Sequence, residues 1–157
     1  MSDNRRGLWK QGAEGRPLRP LPCACANLRR ASRTVTRLYD EQLRAAGLTT
    51  AQFTLLQVLF EAGPMTQGRL GQILVLDSTT LSRTLRPLER KRWIRRRSGD
   101  DRRERRIALT GAGRSRFARA LPAWNRAQKA LLARIGRLRW DALMAELSQV
   151  ASLPGRA

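Results

Sequence analysis

The chain has 157 residues and a formal net charge of +20, with 32 basic side chains against 12 acidic ones and no histidine. Without histidine the usual zinc ligand, the commonest general base and any histidine triad are excluded. An arginine-dominated excess of this size points instead to a polyanion as partner, since arginine grips phosphate bidentately and keeps its charge.

One domain with an ordinary core is the default for this length. Residues 1–21 are polar, interrupted by Gly7, Gly12, Gly15, Pro17 and Pro20, and read as a flexible arm. They hold no apolar core of an export signal. No stretch approaches the ~20 apolar residues of a membrane span. The protein is therefore expected in the cytoplasm, with reduced thiols. A first helix is expected from Pro22 to about Ala46, carried by Leu28, Ala31, Val35 and Leu38 and closed by Gly47. Thr49 or Thr50 caps a second helix, apolar on most sides through Phe60, which Gly63-Pro64 ends. Thr66 begins a third, short helix with Leu70, Ile73 and Leu74 inward. Asp77 or Ser78 caps a fourth whose stripe is Leu81, Leu85 and Leu88. Two short helices across a tight turn form a helix-turn-helix. Trp93 to Arg97 and Arg105 to Leu109 read as a hairpin with its tip at Ser98 to Glu104. Thr110 caps a long helix past Phe117, Trp124 and Ile135, which Pro122 should bend or break. A last helix carries Leu138, Leu143, Leu147 and Val150. Phe117 and Trp124 suit either the core or an aromatic-ligand pocket.

The most informative segment is Leu81 to Thr110. Between Arg83 and Arg106 stand eleven arginines and Lys91 against four acidic residues. A helix followed by a basic hairpin is a shape that can straddle a DNA groove. Asp101-Arg-Arg103, followed by Ile107-Ala-Leu-Thr110 and Gly113, resembles the wing signature and exit of the MarR family of bacterial winged-helix transcription regulators. Asp77-Ser-Thr-Thr-Leu-Ser-Arg-Thr-Leu85, with Leu88-Glu89 behind it, is similar to that family's recognition helix. The resemblance runs from about Cys23 to Val150. It implies a mainly α fold: a winged helix-turn-helix over residues 49–110 with a small β-wing, flanked by dimerisation helices at 22–48 and 111–157. Two departures are visible. Arg92 stands where the family often has glycine, so the chain there either bends differently or adopts a left-handed conformation. Pro87 falls inside the recognition helix and should distort its C-terminal half.

In a winged helix the recognition helix enters the major groove. Ser78, Thr79, Thr80, Ser82 and Arg83 occupy its N-terminal half, where hydroxyls allow close approach and Arg83 can pair with guanine O6 and N7. Arg86 and Arg90 suit phosphate, as do Thr66 and Gln67 at a helix N-terminus. Arg102 and Arg103 at the wing tip suit a narrow minor groove, and the resemblance singles out Arg103, oriented by Asp101. Of Arg95, Arg96, Arg97, Arg105 and Arg106, about half should point away from DNA, because strand residues alternate.

The resemblance further implies a homodimer on a pseudo-palindromic operator, with Leu28, Val35 and Leu38 and Leu131, Leu143, Leu147 and Val150 at the interface. It also implies an effector, either a small molecule or an oxidant. Cys23 and Cys25 are the candidate sensors, at a helix start beside Arg29 and Arg30, where thiolate is favoured. A bond between subunits, a sulfenic acid or a soft metal suits them better than an intrachain disulfide; otherwise they are small apolar residues near an interface. No cofactor is expected. The function expected is sequence-specific regulation, more often repression. The rival is a sequence-neutral nucleoid protein. A nucleic-acid enzyme is disfavoured because the acidic residues form no compact metal-binding cluster.

Overall fold

The computed structural model describes residues 20–98 and 105–153. Most of the expected arm and the wing tip, with Asp101, Arg102 and Arg103, lie outside them. In chain order the elements are α1 (Ala24–Leu43), a 3-10 turn (Arg44–Ala46), α2 (Thr50–Glu61), β1 (Met65–Thr66), α3 (Gln67–Leu74), α4 (Ser78–Arg90), β2 (Ile94–Ser98), β3 (Arg105–Leu109), α5 (Gly111–Ile135) and α6 (Arg137–Ala151). The chain divides into two compact units, 1–37 and 38–157.

In the first unit α1 begins two residues later than Pro22 suggests. Asn27 folds the chain back onto the first turn. Its amide nitrogen donates to the Leu21 and Cys23 carbonyls at 2.7 and 3.0 Å, and its Oδ1 accepts from the Leu21 amide at 2.9 Å. Cys23 and Cys25 are exposed free thiols.

The second unit is built around α2. Phe53, Leu55, Leu56 and Leu59 are buried, and Leu81, Leu85 and Leu88 of α4 and Phe117 of α5 pack into the same cluster. Threonine and aspartate caps set most of the helix starts. Thr49 and Gln52 form a reciprocal capping box on α2, Thr66 caps α3, Asp77 caps α4 and Thr110 caps α5. The Phe53 ring lies 5.1 Å from that of Phe117 and 5.7 Å from Trp124, so both aromatics of α5 belong to the core packing. Burial raises the pKa of Tyr39, whose hydroxyl donates to Gln128.

The sheet has three antiparallel strands in the order β1-β3-β2. Ile94 pairs with Leu109 through to Ser98 with Arg105, one residue later on β2 than periodicity suggests. The two-residue β1 was not expected; Met65 pairs with Ile107 across it. Ala108 is buried along with Ile107 and Leu109, so the alternation fails at the hairpin base, where β3 also packs against α2, α3 and α5.

The expectation for Ile73 needs correction, and of the two alternatives at Pro122 the break does not occur: α4 and α5 each continue through their proline. Pro87 and Pro122 each deprive one carbonyl of its donor, at Arg83 and Ala118, and both those residues are exposed, so water can satisfy the freed oxygen. Ile73 faces outward, 41% exposed, because α3 ends one residue later and its inner face is supplied by Leu70 and Gly71.

Arg92 takes the left-handed alternative, with φ +55°. It is the C′ residue of a Schellman ending in which the Trp93 amide donates to Leu88 at 3.0 Å and the Arg92 amide to Glu89 at 2.9 Å. A left-handed non-glycine residue costs ~1–2 kcal/mol, and glycine loses ~0.5–1 kcal/mol in chain entropy, so Arg92→Gly should stabilise by about 0.5–1 kcal/mol. Thermal unfolding should register a rise of about 2–3 °C; a fall would refute this account of the ending. Val75, at φ +51°, closes α3 in the same manner.

Candidate nucleic-acid interface

The helix-turn-helix is the pair α3 and α4. Leu81, Leu85 and Leu88 anchor one face of α4 in the core, which turns Ser78, Thr79, Arg83 and Arg86 to solvent. With Ser82 these four residues line an open concavity of about 420 Å³. Arg83 and Arg86 make no hydrogen bond or ion pair among the described residues, so their guanidinium donors are unspent.

The helix start is already supplied with an anion. Asp77 accepts from the Thr80 amide at 2.8 Å and from the Thr80 hydroxyl at 2.7 Å. Those bonds hold its carboxyl below the ordinary carboxylate range, so it is fully charged at neutral pH. A second anion at the α4 N-terminus would therefore meet a negative charge already in place. Thr80 serves the cap and is half-buried. Thr66 likewise caps α3, accepting from the Arg69 amide at 3.1 Å.

Gln67 and Ser82, expected as separate contacts, are joined. The Gln67 amide nitrogen donates to Ser82 Oγ at 2.8 Å, while its Oε1 accepts from Arg96 Nη1 at 3.2 Å. Arg96 Nε in turn donates to Glu89 Oε1 at 2.8 Å. One polar chain thus ties α4, the start of α3 and the wing strand β2 together. Sequence reasoning missed Arg96 and Glu89 as members of this site. Gln67 and Arg96 are 29 positions apart, and nothing in the sequence alone distinguishes Arg96 from the exposed Arg95 and Arg97.

At the wing base the Thr110 amide donates to the Trp93 carbonyl at 3.0 Å, and its hydroxyl donates to the Arg92 carbonyl at 2.7 Å. The same hydroxyl oxygen accepts from the Gly113 amide at 3.0 Å. Trp93 is covered by two cations, Lys91 Nζ at 4.6 Å and the Arg116 guanidinium at 4.7 Å from the ring centre. Arg116 also donates to the Ala46 carbonyl at 2.8 Å. These contacts fix the hairpin at its root. None of the residues of α6 is buried, and Leu143, Met144, Leu147 and Val150 are each more than a third exposed.

The chain is similar to several known proteins. The MarR family profile matches residues 48–104. The crystal structure of the transcriptional regulator MosR of M. tuberculosis in complex with DNA is 36% identical. The match covers 82% of this chain and 96% of that one, with a TM-score of 0.72. Two Bacillus subtilis proteins match over 90 residues each, 57% of this chain. One is the HTH-type transcriptional regulator YwoH, at 32% identity, and the other an organic hydroperoxide resistance transcriptional regulator, at 36%. The chain spans 66% and 61% of the length of these two relatives. With a winged helix, a solvent-facing α4 and near-complete coverage of MosR, the chain belongs to the MarR family of DNA-binding transcriptional regulators.

Proposed function

We propose that the chain acts as a homodimer that binds a pseudo-palindromic double-stranded operator and represses transcription until a small molecule, or modification of Cys23 or Cys25, releases it. The observation that carries this reading is the uncommitted face of α4: Ser78, Thr79, Arg83 and Arg86 stand free on a helix whose opposite stripe is locked in the core. Arg102 and Arg103 at the wing tip then reach the minor groove, with Thr66, Gln67, Thr80 and Ser82 at the protein–DNA boundary. Residues 49–110 form the DNA-binding domain, with 22–48 and 111–157 supplying the dimer contacts. Support for the second copy comes from α6, whose apolar side chains Leu143, Met144, Leu147 and Val150 stay more than a third exposed among the described residues. Support for oxidant sensing comes from the two exposed thiols and from the 36% identity to a regulator of organic hydroperoxide resistance.

The test is competition binding after selection of bound fragments from random DNA. A regulator should prefer its own operator over random duplex by ~10³-fold or more. Its half-sites should lie about 10 bp apart on one face of the duplex. Equal binding to all duplexes would favour the sequence-neutral nucleoid reading instead. Treating the bound complex with an organic hydroperoxide should release DNA, and a double Cys23→Ser, Cys25→Ser variant should not respond; release from both would exclude the thiols as the sensor.

A further inference from the structure

A serine hydroxyl facing a base edge ordinarily carries little information, because it both donates and accepts. The surroundings of Ser82 narrow that freedom. Glu89 accepts from Arg96 Nε, which fixes the guanidinium. A guanidinium can only donate, so the Gln67 oxygen must be the atom turned toward Arg96 Nη1. The Gln67 nitrogen is then turned to Ser82 and donates to its Oγ. Ser82 is thus an acceptor on its inner side. Among the described residues its own O–H has no acceptor, whereas Thr84, two residues on, spends its proton on the Thr80 carbonyl one turn back. Ser82 lines the concavity between Ser78, Thr79, Arg83 and Arg86.

We infer that the chain Glu89–Arg96–Gln67–Ser82 sets hydrogen-bond polarity, turning the Ser82 proton outward and biasing the hydroxyl toward an acceptor on the contacted base edge. The inference rests on the operator-binding reading above and adds a specificity rule to it. Guanine O6 and N7, adenine N7 and thymine O4 satisfy such a donor, whereas the cytosine amino group leaves the serine proton unused and can reach only the second lone pair of Oγ, the first being taken by Gln67. Arg96 is in this scheme a positioning residue on the wing strand. It transmits the orientation set by Glu89 to the major-groove helix without touching DNA itself.

The experiment compares single-base operator variants for the wild-type protein, Ser82→Ala and Gln67→Glu. With the wild type, cytosine at one edge position of each half-site should weaken binding about tenfold. Ser82→Ala should flatten that position alone and leave the other preferences unchanged. In Gln67→Glu a carboxylate accepts from both Arg96 and Ser82, so the serine proton turns inward and the preference should move toward cytosine. This reversal is read as a ratio between operators, so the general loss of affinity from an added negative charge cancels. An unchanged profile in both variants, or uniform weakening by Ser82→Ala on every sequence, overturns the inference. Absence of any base preference in the wild type would instead sink the operator-binding reading on which it rests. Circular dichroism melting of each variant confirms that the fold is retained.

Discussion

Gly113→Ala should destabilise the protein by about 3 kcal/mol or more, at the upper end of what overpacking costs. A Cβ built on Gly113 would lie 2.0 Å from the Trp93 carbonyl oxygen, 2.9 Å from the carbonyl carbon and 3.1 Å from Leu109 Cδ2. The first two are backbone atoms, and that carbonyl oxygen is already held by the Thr110 amide. Neither can yield as the end of a flexible side chain would. Either the first turn of α5 lifts from the hairpin, breaking the Gly113–Thr110 cap, or β2 moves away and the Schellman ending at Arg92 opens. At about 2–4 °C per kcal/mol for a chain of this length, the melting temperature should fall by roughly 6–12 °C. Operator affinity should fall as well, since the wing root moves with either adjustment. A variant that melts within a degree of the wild type would show that the contact between helix and hairpin is not as rigid as the geometry requires.

The second large effect is expected on binding. Replacing both Arg83 and Arg86 with alanine should weaken operator binding by about 30- to 1,000-fold, combining a lost base contact of ~1–3 kcal/mol with a lost phosphate contact. The two single variants should differ in kind. Arg83→Ala should relax the preference at one base position. Arg86→Ala should weaken all sequences alike and reduce the salt slope by about one. Both side chains are exposed and make no partner among the described residues, so the melting temperature should barely change. Filter binding or fluorescence anisotropy at several salt concentrations reads both effects. Affinity retained within twofold in the double variant would remove this face of α4 from the DNA.

The two effects also mark what the sequence disclosed and what it concealed. Helices α2 to α5 were legible because their starts are written locally: Thr49, Thr66, Asp77 and Thr110 each stand one step before an apolar period, and each forms the expected cap. The hairpin was legible through its charge pattern and through the Gly99-Asp100 pair in the sequence between its two runs. The fate of Pro87 and Pro122 was not, because a proline's cost depends on whether the carbonyl it orphans faces water, and that is decided by how the helix packs. Strand β1 is too short to show a period of two. The site shows the same division. Arg83 and Arg86 follow from their spacing against Leu81, Leu85 and Leu88, whereas the union of Gln67, Ser82, Arg96 and Glu89 arises only when β2 packs against α4 and the Arg96 side chain reaches the start of α3. Gly113 was recognisable by resemblance, yet its reason, a backbone carbonyl where a methyl would stand, is visible only in three dimensions.

The joint at Gly113 has a mechanical corollary. Helix α5 continues unbroken from that joint for 25 residues, about 37 Å at 1.5 Å per residue. Seated hard against the hairpin at one end, it behaves as a lever whose long arm reaches Ile135. A displacement of about 3 Å there, if the joint stays rigid, tilts the wing root by roughly 5°. Because Phe117, Ala120, Ala123 and Ala127 seat the same helix in the interior, an event at its far end re-aims the wing root only by shifting that packing with it.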